Sequence, residues 1–180
     1  MPYSLYRDLT AGEGALIDQT SHWDINLFSG ARLPPDLEVP VTFEIDLDSA
    51  GRRMPTLFMV PAFVARKAFY DAMVRAGVDN VDPYPALIRN SETGEAFTEY
   101  LFLNVIGRVA GADMEASEHQ AIGPDMRLLD RITIARVKLP RAHIFRLAED
   151  ELKVVVSDHL CEKLREAGFE DIYYQPVAVL

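Results

Sequence analysis

An imidazole and a carboxylate stand two residues apart in His22-Trp23-Asp24. In an extended segment they share one face, as an acid/base pair or half of a metal site would require. The same three residues also make an aromatic anchor, Trp23, between polar surface neighbours, and that plainer reading is preferred. A second set, Glu44, Asp46 and Asp48, places a carboxylate at every other position. A divalent cation needs several oxygens converging on one point, whereas alternate side chains on a strand leave it nearly parallel. These three are therefore expected as a solvated strand face or an acidic stripe turned to a partner, with a metal site the weakest reading.

Other reactive residue types are scattered. His119, His143 and His159 lie far apart in sequence, and no spacing links them to each other or to Cys161, the single cysteine. Cys161 follows Leu160 in a helical pattern, the setting of a small buried hydrophobe rather than a nucleophile. Gly12-Glu13-Gly14 lacks the third glycine and the preceding strand of a dinucleotide fingerprint. HExxH, CxxC and nucleophile-elbow motifs are absent from the sequence. The expectation is no catalytic residue, no cofactor-binding residue and no metal ligand set.

The elements that position these residues announce themselves through a repeat. Phe69-Tyr70-Asp71-Ala72-Met73-Val74-Arg75-Ala76-Gly77-Val78-Asp79-Asn80-Val81, followed by Pro85, recurs in register as Leu160 to Ile172, followed by Pro176. The matched positions are apolar residues, Gly77/Gly168 and Pro85/Pro176, which build structure and do no chemistry. Phe69, Met73 and Ala76 share one helical face, as do Leu160, Leu164 and Ala167. Glycine then suits the left-handed position past a helix end. Proline forces an extended exit. A repeated scaffold favours binding over catalysis.

The remaining elements follow from local pattern. Val41-Thr42-Phe43-Glu44-Ile45-Asp46-Leu47-Asp48 alternates as a half-buried strand does. Residues 1–35 are weakly patterned and read as loop with short strands. Leu57 to Val60 reads as a buried strand, with a helix from just after Pro61 to Ala76. Ala86-Leu87-Ile88 and Phe97 to Val109 flank the turn-rich Asn90 to Glu95 as a hairpin, its second arm central. A loop with a short helix is expected over 111–129. Strands are expected around Ile132 to Leu139, Ile144 to Leu147 and Lys153 to Val156, and Ser157 is a fit N-cap for the second helix. The sum is one α+β domain over residues 1–180, with a mixed, largely antiparallel sheet and two similar strand–helix–strand units.

Composition narrows the partners. The chain has 180 residues, 49% of them hydrophobic, with 18 Lys+Arg against 28 Asp+Glu and a net charge of −10. Such a surface repels nucleic acid and anionic membranes and attracts a basic protein. The charge is uneven: residues 36–48 hold only acids, while Arg127 to Arg146 carries six bases against Asp130. That basic stretch has Phe145 alone for stacking, so pairing with the acidic surface is preferred over nucleic-acid binding. A single cysteine, no apolar leader and no membrane-length apolar run lead to an expected cytoplasmic location.

Several stretches together resemble a known family. They are Ala76-Gly77-Val78-Asp79-Asn80-Val81 with Tyr84-Pro85-Ala86, then Tyr100 to Asn104-Val105-Ile106-Gly107. Asp113-Met114-Glu115-Ala116-Ser117-Glu118 follows, then Ile144-Phe145-Arg146-Leu147, and finally Val155-Val156-Ser157 to Ala167-Gly168-Phe169. In this order they resemble the eleventh immunity-protein family of bacterial polymorphic toxin systems, over roughly residues 35–178. The first copy departs from the second at one cap, with Arg66 where the second has Ser157. The resemblance implies a cytoplasmic protein that binds and neutralises a cognate toxin, often a nuclease, commonly encoded next door. It brings no catalytic residues. Glu44, Asp46 and Asp48 are the expected toxin contacts, because a nuclease presents Lys and Arg for phosphate. The alternative is a small cytoplasmic hydrolase or metal-dependent enzyme using His22 and Asp24 or the Glu44–Asp48 carboxylates.

Overall fold

The computed structural model describes residues 3–7, 16–19, 25–45, 54–59, 61–122, 127–135, 141–170 and 172–180. In chain order the first half holds β1 (Tyr3–Arg7), β2 (Leu16–Gln19), β3 (Val41–Ile45), β4 (Leu57–Phe58), β5 (Val64–Arg66), α1 (Lys67–Arg75), β6 (Val81–Asn90) and β7 (Ala96–Val105). The second half holds β8 (Arg108–Val109), β9 (Glu118–Ala121), β10 (Arg127–Arg131), β11 (Thr133–Ile134), β12 (Ile144–Leu147), β13 (Val154–Val156), α2 (Asp158–Glu166), β14 (Ile172–Pro176) and β15 (Ala178–Val179). The class is α+β, with pairing that is mostly antiparallel.

The mixed, largely antiparallel pairing expected from the sequence is present, divided among several sheets. Six strands make one sheet in the order β2-β3-β6-β7-β5-β4, and five make another in the order β14-β1-β13-β12-β8. β9 pairs with β10, and β11 with β15, as two small ribbons. The expected hairpin is present as β6 and β7, closed by Asn90, whose Oδ1 accepts from the amides of Glu92 and Thr93. Pro83 and Pro85 lie inside β6, where they lack a donor. Accordingly β6 pairs with β7 from Val81 onward, but with β3 only from Ala86.

Both helices join strands that sandwich a third. Ala65 of β5 and Pro85 of β6 are both partners of Leu101 on β7. Val156 of β13 and Pro176 of β14 are likewise both partners of Tyr3 on β1. The next strand out keeps step, Leu57 beside Ala65 and Ile144 beside Val156. β1, drawn from the weakly patterned N-terminal stretch, is therefore an inner strand.

Two helical expectations change. The first helix begins at Lys67, because Val64 and Ala65 are taken up by pairing with β7. The described part of 111–129 has no helix. There Asp113 accepts from the amides of Glu115 and Ala116, making one turn before β9. Ala167 also differs from Ala76: it is exposed, not packed inward.

The helix ends follow local chemistry closely. Gly77 and Gly168 have φ of 92° and 87°. Around the first, Gly77 N–H reaches the Val74 carbonyl and Val78 N–H the Met73 carbonyl. Around the second, Gly168 and Phe169 bond to Arg165 and Leu164 in the same way. Both helices thus end in the two-bond motif that a left-handed glycine permits.

At the other end the two differ. The Ser157 hydroxyl accepts from Leu160 N–H at 3.2 Å, whereas Arg66 makes no side-chain cap. Arg66 instead donates to the Met54 carbonyl at 3.1 Å and lies 5.2 Å over the Tyr100 ring. Ser157→Ala should cost about 1 kcal/mol of stability, read as a lower urea midpoint at unchanged slope. An unchanged midpoint would mean that the hydroxyl contributes nothing as a cap.

Three apolar clusters lie on the sheet faces. The largest joins Phe69, Ala72 and Met73 of α1 to Leu160, Cys161 and Leu164 of α2, with Leu57, Ala65, Leu103, Val154, Val156 and Ile172 from both large sheets. A second lines the opposite face of the six-stranded sheet, including Val41, Phe43, Ile88 and Phe102. A third lines the opposite face of the other sheet, with Ile134, Phe145, Leu147 and Val155. Asn80 ties the two large sheets together, its amide donating to the carbonyls of Ile106 and Ile144 at 3.2 and 3.0 Å.

Candidate partner-binding face

β3 alternates as its sequence requires. Val41, Phe43 and Ile45 are fully buried, while Thr42 and Glu44 point to the other face and are half-buried. Register sets Glu44 between Asp18 on β2 and Arg89 on β6. Neighbouring strands lie about 4.8 Å apart, so Glu44 and Arg89 stand side by side as an acid and a base. Asp46 and Asp48 lie outside the described residues, as do His22, Trp23, Asp24, Gly12 and Gly14.

The face that carries Glu44 is the helix side of its sheet. α1 packs there against Leu57, Ala65 and Leu103, and Leu101 is partly buried against the same cluster. Farther from the helix, Thr42 stands beside Leu87, and Pro85 beside Leu101. Leu87 and Leu101 are half-buried and Pro85 is exposed. The result is a small apolar strip bordered by Glu44 and Arg89. An apolar centre with a polar rim is what a protein interface desolvates on contact. Glu44 has a base beside it, at Arg89.

The other candidates sort themselves by geometry. Among the described residues no three His, Cys, Asp or Glu side chains gather as a metal site would need. His119 is exposed, with Nδ1 at 3.2 Å from the Ser117 carbonyl. His143 and His159, which nothing in the sequence links, have ring centroids 4.8 Å apart. The β12–β13 pairing brings them together: Ser157 N–H donates to the His143 carbonyl, and His159 lies in the first turn of α2. Hairpin register was the signal, and it is visible only once β12 and β13 are known to pair.

Cys161 is buried, as its apolar setting implied, and burial pushes its thiol up to about 12. A neutral thiol is a poor nucleophile. The folded protein should therefore resist alkylation at pH 8 and react fully once unfolded in urea; rapid labelling of the folded protein would contradict this burial. The sign for stability follows: the contribution is fully present below the free-thiol range of about 8.5 and is lost as pH rises towards about 12.

The basic stretch is partly paired. Arg131 meets Glu118 at 3.0 Å across the β9–β10 ribbon, and Arg146 is buried inside β12. Arg136 and Lys138 lie outside the described residues. No described helix is long and apolar enough to cross a membrane.

Comparison of the sequence with protein families gives this α+β scaffold a relation: the immunity protein family (Imm11) matches residues 10–179. The chain belongs to that family. The comparison with curated proteins gives no match.

Proposed function

We propose that this protein is the cytoplasmic antidote of a bacterial polymorphic toxin system, binding and neutralising one cognate secreted toxin by covering its active surface. The observation that carries this reading is the family match over nearly the whole chain. An immunity protein acts by holding a protein partner, so the reading needs a surface and no reactive set. The surface put forward is the helix-side face around Glu44, continued along the chain by Asp46 and Asp48. A nuclease toxin fits it best, since a nuclease displays Lys and Arg where phosphate binds, and carboxylates can occupy that groove. Apolar contacts at Leu87 and Leu101 would supply much of the holding energy, because exposed charge pairs contribute little.

The same reading takes the chain as one domain built on two related strand–helix–strand units. Three features support that relation: equal sheet register around Leu101 and Tyr3, helices of 9 residues each, and matching glycine ends. The test of function is co-expression with the toxin domain encoded in the adjacent reading frame. Cells making both should survive and yield a stable complex on purification. Death of the co-expressing cells, with both proteins present and folded, would remove the proposal.

A further inference from the structure

Among the described residues Arg146 is the largest side chain to be almost wholly buried, at 1% exposure, and it sits within β12 between core residues. Its Nη1 donates to the Glu151 carbonyl. Among the described residues its Nε and Nη2 have no hydrogen-bond partner. These two nitrogens form one edge of the guanidinium, with their N–H bonds side by side, which is the edge that grips a carboxylate or phosphate through two parallel bonds. A buried donor left unpaired is costly, and a cation leaves two such donors together only rarely. Burial lowers the group to about 10, with Glu151 pulling the other way, so it remains charged at neutral pH.

Arg108 on β8 is the direct cross-strand neighbour of Arg146. Glu151 is the one carboxylate described at the pair; it takes Arg108 with Oε1 and lies 3.5 Å from the Asn26 amide with Oε2. Two guanidiniums thus share one carboxylate, which is already engaged. The roof is the segment around Phe28, whose ring lies 5.4 Å from the Arg146 guanidinium carbon. Close backbone contact holds that roof: Gly107 N–H donates to the Gly30 carbonyl at 2.7 Å, and Asn104 donates to the Ala31 carbonyl at 2.8 Å. A side chain at Gly30 would meet the Arg108 stem at 2.8 Å. Arg108 itself is 42% exposed, so the arrangement opens to solvent on that side.

We propose that the Nε–Nη2 edge of Arg146 is a binding site for a small oxyanion, a carboxylate or a phosphate, with Arg108 as the second contact at its mouth. This site is separate from the Glu44 face and stands whether or not a toxin is the partner.

The test is a titration of the full chain with sodium phosphate and, separately, sodium acetate, each against sodium chloride of equal ionic strength. At ten times the dissociation constant, the preferred anion should raise the melting temperature by about 3–6 °C over chloride. In the same titration the Arg146 Nε–H resonance should move. The anion that produces both effects identifies the chemistry. Arg146→Lys keeps the charge but removes the fork, and should lose the response. Should that variant fail to fold, Arg108→Gln, at a partly exposed position, should weaken the response several-fold while leaving the fold intact. Equal melting temperatures in all three salts with an unmoved Nε–H resonance would overturn the proposal, as would a folded Arg146→Lys protein with the full response.

Discussion

Phe69→Ala should lower the free energy of unfolding by about 4 kcal/mol. Phe69 is fully buried at the start of α1, in the cluster shared by both helices and both large sheets. Its ring meets Phe63 edge-on at 6.3 Å and Phe169 at 5.3 Å. Phe169 directly follows the glycine that ends α2, so the contact joins α1 to the end of α2. Removing the ring leaves a cavity bounded by strand, helix and helix end, which cannot all collapse together, and the cost lies well up the usual range. Edge-on aromatic pairs add about 0.5–1.5 kcal/mol beyond area burial, and this substitution removes two of them. Denaturant unfolding reads the change as a lower midpoint at constant slope. A loss under about 1 kcal/mol would mean that the two helices and the two large sheets do not share a core through this residue.

Replacing Glu44, Asp46 and Asp48 together with lysine should slow association with the cognate toxin by about 10- to 100-fold at low salt. Long-range attraction acts before contact, so the association rate should suffer more than the dissociation rate. The effect should fade as salt rises, because the screening length shrinks to about 10 Å at 0.1 M. Glu44→Lys alone should do far less. Glu44 is half-buried, and Arg89 stands beside it in register, already offsetting its field. Stopped-flow mixing across a salt series would read both results. Unchanged association by the triple variant would move the interface elsewhere, and the apolar strip at Leu87 and Leu101 would have to act without electrostatic help.

What the sequence made legible was local. Strict alternation located β3 and its buried face, and glycine and proline located both helix ends and the exits after them. Ser157 could be chosen as a cap because its hydroxyl acts within three residues. Misses arose where distant pairing decided the outcome. Val64 and Ala65 look like the first turn of a helix, yet Phe102 and Leu101 of β7 claim them as strand. Three residues are too few to show a period of two. β1 lies in a stretch with little pattern of its own, and its place between β13 and β14 depends on partners from the far end of the chain.

Charge misled for a related reason. Arg146 lies in an apolar run within a basic stretch, and charge counting pointed only to pairing with the acidic surface. Its burial depends on the Glu151 carbonyl and the Phe28 ring, neither of which local spacing reveals. The candidate face was legible only at its carboxylates. The apolar half, Leu87 and Leu101, appears once β6 lies between β3 and β7 with α1 covering only part of the sheet.

Under the proposed function this chain neutralises a toxin by binding it. The most direct measurement titrates the purified protein into the toxin domain from the adjacent reading frame, following binding and toxin activity together. Activity should fall in step with formation of a stoichiometric, tight complex, and association should slow as salt is added. Binding without any loss of activity, or full toxin activity at saturating protein, would contradict it.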